Sequence, residues 1–363
     1  MRRAARLALV ALVVSACLAL AACAAPPSSS APSDTVIGLL LPESKAARYE
    51  AVDRPSFERV VEARCVQCVV LYANADQDAA LQQQQAESML TRGAGVLVLD
   101  AVDSVAAVSI VNRAHERGVP VIAYDRFIAG ADLDYYVSFD SRHIGRLQGE
   151  ALVAALEARR SDSAAQPPGV LLVNGSPTDP NSAALRAGVL SALEGTDIVV
   201  LEEFDTPDGS PDKAQEWVTG QLAQFAGRVD GVYAANDGMA GGVISALRSA
   251  GYDPVPPVTG QESELAALQR IVAGDQTMTV YKALDQQART AAELAVRVLR
   301  GEKPVTTAVV DGVPSLLLTP VAVTADNLGR VVVDGGVYTV EEICVQPYTR
   351  ACTEAGLLPG GEP

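Results

Sequence analysis

The chain predicts an α/β fold of two successive lobes, each built on a covered parallel sheet, and three observations carry that expectation. Its 363 residues exceed one typical core, so about two domains are expected. Short apolar strands alternate with helical stretches at the spacing of parallel βαβ units. The alternation runs as far as Phe139 and begins again at Val170, with late segments returning, which is the layout of a bilobal hinged protein. Composition agrees: 49% of residues are hydrophobic, 4% aromatic and 20% charged, a core of Ala, Val and Leu. The formal net charge of −16 leaves no basic footprint, which sets nucleic acid aside as a partner.

Residues 1–22 read as a signal peptide. Arg2, Arg3 and Arg6 precede an apolar run from Leu7 to Ala22 that is short for a stable membrane span. It closes on Leu20-Ala21-Ala22-Cys23, which resembles a bacterial lipobox, in which Cys23 is diacylated and becomes the first mature residue. Ordinary cleavage or an uncleaved anchor are the alternatives. The Pro/Ser/Ala stretch that follows makes 23–33 a flexible tether and favours the lipoprotein, held at the membrane by its acyl chains.

Cys17 and Cys23 belong to this leader region, which leaves four cysteines in an exported and therefore oxidising setting. Cys65-Val-Gln-Cys68 follows a helix and precedes a strand, the reverse of a thioredoxin-like motif. Zinc needs two further ligands, and His115 and His143 each stand alone on helical patterns. A local disulfide is the expectation, with Cys344 and Cys352 as the second pair. No metal or cofactor is expected.

In order, the first lobe starts with strand Thr35–Leu41 and a loop, Pro42–Glu50, that carries Lys45, Arg48 and Tyr49. A helix to about Arg64, strand Val69–Tyr72 and helix Ala79–Arg92 follow. Asp76 and Asp78 fit helix capping better than a cation site. Strand Gly95–Leu99, a helix from about Val105 to Arg117 and strand Val121–Tyr124 continue the pattern. Gly93-Ala-Gly95 is no dinucleotide fingerprint, because it lacks the third glycine and precedes a strand. Tyr135–Phe139 is a strand, Ser141–Arg159 a long helix and Ser161–Pro168 a surface loop. The second lobe has strands Val170–Val173, Ile198–Phe204, Gly231–Ala234 and Val258–Thr259, interleaved with helices near Ser182–Leu193, Asp212–Phe225, Ala240–Ala250 and Glu264–Val272. Gln276–Val280 closes this set. Helix Gln286–Leu299 and an extended Val313–Val323, broken by Pro320, return.

Ligands of open α/β sheets bind outside the carboxyl ends of the strands. There, Val121–Tyr124 runs into Asp125 and Arg126, an acceptor and a planar donor fork able to hold neighbouring sugar hydroxyls. A structural ion pair at a strand end is the alternative. In the second lobe, strands run into Asn174 to Asn181, Asp205 to Ser210, Asn236-Asp237, Gln261-Glu262 and Tyr281-Lys282. Turn chemistry explains any one of these. Together with Asp125 and Arg126 they form a set of donors and acceptors suited to a neutral polyhydroxylated ligand between lobes. A carboxylate pair drawn from Asp125, Asp237 and Glu262 would suit glycoside hydrolysis, but no distance is fixed, and there is no nucleophile elbow or phosphate loop.

Eight motifs in this order carry a resemblance to a known family: Lys45-Ala-Ala-Arg48-Tyr49, Asn74-Ala-Asp-Gln-Asp78, Ala123-Tyr-Asp-Arg126, Tyr136-Val-Ser-Phe-Asp140, Gly175-Ser-Pro-Thr-Asp179, Ala235-Asn-Asp237, Gly260-Gln261 and Thr279-Val-Tyr-Lys282. From about Thr35 to Leu357 the chain resembles the type I periplasmic sugar-binding proteins of ABC importers, most closely their D-xylose-binding branch. The resemblance implies two Rossmann-like doubly wound lobes joined by a three-stranded hinge. It places 34–139 plus 283–317 in the N-terminal lobe, 140–282 plus 318–350 in the C-terminal lobe and 351–363 in a tail, with crossovers near Phe139–Asp140, Tyr281–Lys282 and Leu317–Pro320. It also implies first-lobe ligand contacts from Lys45, Arg48, Asp125 and Arg126. Their second-lobe or hinge counterparts are Asn181, Asn236, Asp237, Glu262 and Lys282, and Tyr49 is the aromatic on one sugar face.

Three positions depart from the family pattern. Gly209 stands where the family carries a tryptophan, Glu262 where it carries an aspartate, and Pro180 interrupts Asp179-Pro180-Asn181. Losing a tryptophan removes an apolar face of about 150–250 Å². Altered specificity follows as the expectation, for a sugar bulkier than a bare pentose, unless another aromatic such as Trp217 or Phe204 fills the gap. The implied protein is a monomeric, extracytoplasmic, lipid-anchored receptor. It captures a monosaccharide or related sugar by hinge closure and presents it to an ABC permease without chemistry. A sugar sensor facing a membrane receptor, or a carbohydrate-active enzyme, are the rival readings.

Overall fold

The structure, a computed structural model, describes residues 35–160 and 166–359. The signal peptide, the tether and Cys23 lie outside the described residues, as do 161–165 and 360–363. In chain order the strands are β1 Val36–Leu41, β2 Val69–Asn74, β3 Val96–Leu99, β4 Val121–Tyr124, β5 Tyr135–Phe139, β6 Gly169–Asn174, β7 Val199–Asp205, β8 Gly231–Ala234, β9 Thr279–Tyr281, β10 Ala308–Val310, β11 Val313–Leu318 and β12 Val321–Val323. The helices are α1 Arg54–Arg64, α2 Ala79–Thr91, α3 Val108–His115, α4 Ser141–Arg159, α5 Pro180–Leu193, α6 Pro211–Gln224, α7 Asp237–Ser249, α8 Leu265–Val272, α9 Leu284–Leu299, α10 Val340–Ile343 and α11 Thr349–Glu354.

The first sheet has the order β10-β11-β5-β4-β3-β1-β2, parallel throughout except for the β10–β11 hairpin. Alternation along β1 sends Ile37, Leu39 and Leu41 to one face, where they meet Phe57 and Val61 of α1 and Ala288 and Ala291 of α9. Leu40 turns to the other face, with Leu97 and Leu99 of β3, against Met89 of α2 and Ile110 of α3. Helices on both faces explain why these strands read as unbroken apolar runs. Asp78 caps α2 by accepting from Ala80 N and Leu81 N, so that carboxylate is a cap.

The second body is built on a parallel sheet in the order β7-β6-β8, extended by a bridge between Val232 and Val258. Its core joins Val170 and Leu172 to Leu152 of α4, Val189 of α5, Val218 of α6 and Val243 of α7. Helices α4 and α5 touch through Gly145 and Gly188. A Cβ on Gly145 would lie 2.0 Å from Leu185 O, and one on Gly188 2.1 Å from Arg142 O, so only glycine admits this approach. The antiparallel β9–β12 pair attaches through Thr277 N to Val258 O, 2.9 Å, and Glu262 N to Val280 O, 2.8 Å. The chain passes between the two bodies after Phe139, after Tyr281 and after Leu318, so three connections run side by side beneath the cleft.

Several expectations need correction. Val258–Thr259 makes a single bridge rather than a strand. The 313–323 segment breaks at Pro320 as expected, but its two halves are strands in two different sheets. Strand β10 was not expected, although Asp311 and Gly312, both left-handed at φ 46° and 86°, form the Asp-Gly turn that signals a tight hairpin. The segment assigned to a tail from residue 351 is packed over its described part. Cys352 is fully buried, and Leu357 and Leu358 lie against the cluster of Leu268, Val323, Val332 and Ile343. Disulfides join Cys65 to Cys68 and Cys344 to Cys352.

Candidate functional site

Between the two bodies, above the three connections, lies a cavity of about 250 Å³ lined mainly by polar residues from the strand ends of both sheets. Lys45, Tyr49, Asp125 and Arg126 face it from the first lobe, Asn181, Asn236 and Glu262 from the second, and Lys282 from the second connection. The lobes also touch directly. Lys45 Nζ reaches Ser210 Oγ at 2.9 Å and Asp208 Oδ2 at 3.5 Å, Asn181 Nδ2 donates to Asp125 O at 3.2 Å, and Arg126 Nε lies 3.3 Å from Asp179 Oδ2. The structure is therefore a closed form.

Asp125 ends β4 in the left-handed region, φ 59°, where its backbone N bonds Val137 O and its side chain turns into the cleft. Arg48 Nη1 donates to its Oδ2 at 2.9 Å, Gln287 Nε2 to its Oδ1 at 3.3 Å, and Lys282 Nζ lies 3.9 Å away. Burial acts to raise its pKa, but Arg48, Lys282 and Arg126 outweigh burial and hold the carboxyl well below its ordinary range. Arg126 is fixed by Nη1 to Ala101 O at 2.8 Å, which leaves its Nε between Asp179 and Asp100 Oδ1, the latter at 3.6 Å. Asp100 is fully buried, and that burial pushes its own carboxyl well up.

Two expected ligand contacts stand behind the wall rather than on it. Arg48 does not line the cavity; its guanidinium is consumed by Asp53 at 2.8 and 3.2 Å, by Asp125 and by Gln287 Oε1 at 3.2 Å. Asp237 is fully buried and accepts from Gln276 Nε2 at 2.8 Å, Thr279 Oγ1 at 2.8 Å and Glu264 N at 3.0 Å. Its carboxylate makes no ion pair among the described residues, although Arg270 Nη2 donates to its backbone O at 2.8 Å, and burial followed by repulsion from Glu264 pushes the carboxyl up to about 8, against the pull of these bonds. The adjacent Asn236 explains the orientation. Its Oδ1 caps α7 by accepting from Met239 N at 2.8 Å, so the next side chain points inward.

Glu43 and Glu264 are cavity residues that the sequence reading does not name as ligand contacts, and Gln261, read there only as a strand-end polar residue, lines the cavity as well. Glu43 follows β1 and accepts from Lys45 N and Ala46 N; the strand-end rule applied to β1 finds it. Gln261 and Glu264 flank Glu262 on the loop leading into α8. Glu262 and Ser263 adopt left-handed backbone, φ 102° and 56°, a bend that composition does not announce. The aromatic proposed to replace the tryptophan is absent from the cavity: Phe204 and Trp217 stack on each other at 5.2 Å and neither lines it. Gly209 does line it, at φ 60°, and a Cβ there would meet nothing closer than Asn236 Nδ2 at 3.9 Å.

Residues 37–303 match the family model of the periplasmic binding protein domain. The D-xylose-binding periplasmic protein of Escherichia coli strain K12 is 34% identical over 315 residues, 85% of this chain and 92% of its own length. A D-xylose-binding periplasmic protein of Haemophilus influenzae is 35% identical over 326 residues, 87% of this chain and 94% of its own. Among solved structures, an ABC transporter solute-binding protein of Clostridium phytofermentans with bound β-D-glucose superposes with a TM-score of 0.76 at 26% identity, over 85% of this chain and 100% of that one. Two lobes of doubly wound topology, a cleft at their strand ends and these matches agree: the chain belongs to the periplasmic binding protein family, with the type I fold.

Proposed function

We propose that this protein captures a sugar in the interlobe cleft and hands it, in the closed form, to an ABC importer, acting as a monomer tethered to the outer face of the cell membrane by acylated Cys23. The observation that carries the reading is the cavity itself. Charged and amide side chains from both lobes converge on a space of about 250 Å³, the scale of one small polar molecule. A ligand that touches both lobes favours closure by its differential affinity for the closed state. Asp125, Arg126, Asn181, Asn236 and Lys282 hold the hydroxyls directly, and Tyr49 offers one apolar face. Arg48 and Asp237 act from behind, by fixing Asp125 and the loop that carries Glu262. The relatives named for D-xylose and the neighbour holding glucose support a monosaccharide. The open space at Gly209 supports one larger than a bare pentose.

A thermal-shift screen of the mature protein against pentoses, hexoses, disaccharides and sugar alcohols tests the reading. A ligand at a hundred times its dissociation constant adds about 2.7 kcal/mol of stability, a shift of several degrees. No shift with any sugar contradicts it. A larger shift with hexoses than with xylose supports the part assigned to Gly209. Metabolic labelling with a fatty acid, abolished by Cys23→Ser, tests the anchor.

A further inference from the structure

We propose that the sugar carries an amine: the cleft takes an amino sugar, its ammonium group held between Glu43 of the first lobe and Glu262 and Glu264 of the second. This rests on the sugar reading and narrows it. Six carboxylates line the cavity, Glu43, Asp125, Asp179, Asp208, Glu262 and Glu264, against three cations, Lys45, Arg126 and Lys282. Each of those cations already faces carboxylates, although Arg126 Nε has no hydrogen-bond partner among the described residues and Lys282 Nζ has only longer contacts. Lys45 lies on Ser210 and Asp208, Arg126 between Asp179 and Asp100, and Lys282 is 3.6 Å from Glu262 Oε1 and 3.9 Å from Asp125 Oδ1. Arg48 Nη1 adds a distant 3.7 Å contact to the same Glu262 oxygen. The other one, Oε2, has no hydrogen-bond partner among the described residues, although the side chain is only 10% exposed. Its neighbour Gln261, 8% exposed, leaves Oε1 equally unpartnered. Both residues line the cavity. Two unpartnered buried acceptors on adjacent cavity residues call for a donor-rich group. An ammonium offers three donors and a full charge, whereas a hydroxyl offers one donor.

The charges around this corner agree. Burial, more than Glu262, raises Glu43 above its ordinary range, although two backbone N–H groups and Arg126 pull the other way. Burial, then Glu262 and Glu43, pushes Glu264 up to about 7 against the opposing pull of Arg270; Asp237 and Tyr338 face it as well. Closure therefore brings acidic groups of opposite lobes together, and a cation between them removes that repulsion. A neutral sugar leaves it in place.

Calorimetric titration of the mature protein at about pH 7, below the usual α-amino pKa of about 7.7–8.0, separates the cases. The probes are D-glucosamine and D-galactosamine, their neutral parents D-glucose and D-galactose, and the N-acetyl forms, which keep the shape and lose the charge. The expected result is one amino sugar bound about tenfold or more tighter than both its parent and its N-acetyl form, with the advantage shrinking as salt is raised. Glu262→Gln should lower the ratio of amine to parent affinity. Should that variant fail to fold, the wild-type ratio and its salt dependence decide alone. A parent sugar bound as tightly as its amine overturns the inference and leaves the sugar reading standing. No binding by any of these probes likewise overturns the amine, and the sugar reading then stands or falls on the wider thermal-shift screen.

Discussion

Asp125 and Asp237 are both buried carboxylates at strand ends, one in each lobe, and they are stabilised in opposite ways. Asp125 sits among cations, Arg48 at 2.9 Å and Lys282 at 3.9 Å, and stays ionised. The Asp237 carboxylate accepts only from neutral donors, Gln276, Thr279 and a backbone N–H, with Arg270 on its backbone O instead, and its carboxyl is pushed up to about 8. Burial is alike for both, so the neighbours decide the charge. The lesson for the cleft is that its first-lobe floor is an ionic clamp, while the support beneath its second-lobe loop is a hydrogen-bonded polar plug. A strand-end Asp in the sequence does not distinguish the two.

The comparison breaks most visibly at Arg48. Arg48→Met leaves Asp53 and Asp125 buried without their main counter-charge, and urea unfolding should show a loss of about 3–5 kcal/mol. An unchanged midpoint would place Arg48 outside the clamp. Asp237→Ala strands three donors at once, and the expected loss is about 1–3 kcal/mol. Ligand affinity would then fall indirectly, through the Glu262 loop. A variant of wild-type stability that has lost its sugar would contradict this placement.

The two carboxylates also predict opposite responses to pH. Asp237 keeps its proton in the folded state up to about 8, while the unfolded chain loses it near the ordinary carboxylate value of about 3.9. The folded state therefore holds the extra proton between those limits, so this group's contribution to stability falls as pH rises from about 4 to about 8. Glu264, pushed up to about 7, adds to the same slope. Asp125 is depressed, so its contribution is present above its ordinary value and is lost only as pH falls below about 3.9. Hydrogen exchange at about pH 5 and about pH 8 should show the α7–α8 region better protected at the lower pH, the first lobe much less changed, and the difference reduced in Asp237→Asn. Protection that rises with pH in α7 would contradict the assignment.

The smallest effect is expected at the mouth. Lys45 is half exposed where it meets Asp208, so Lys45→Ala should change affinity by no more than about 0.2–1 kcal/mol, with a weaker effect at high salt. A larger loss would make this contact part of the ligand site proper.

The fold was legible because buried parallel strands announce themselves. Val121–Tyr124, Tyr135–Phe139 and Gly231–Ala234 lie where their apolar runs and turn residues put them. Strand β10 escaped because three residues, Ala308 to Val310, carry little pattern of their own, although Asp311-Gly312 carried the hairpin signal. In the site, strand ends located the polar residues but not their directions. Asn236 and Asp237 are adjacent, yet the cap on α7 sends one to the cleft and the other inward. Arg48 was legible as a cation near the cleft, but its engagement by Asp53, Asp125 and Gln287 depends on residues 5, 77 and 239 positions away. The hidden acceptors at Gln261 and Glu262 depend on a left-handed bend that only the backbone reveals.

The most direct test of the account is a calorimetric titration of Arg126→Ala with whichever sugar stabilises the wild-type protein. Arg126 reaches from Ala101 O in the first lobe to Asp179 in the second and lines the cavity between them. The variant should fold and bind that sugar about ten- to a hundredfold more weakly, since a buried charged hydrogen bond contributes about 1.5–3 kcal/mol. Affinity equal to wild type would show that the ligand sits elsewhere and that this cleft is not the binding site.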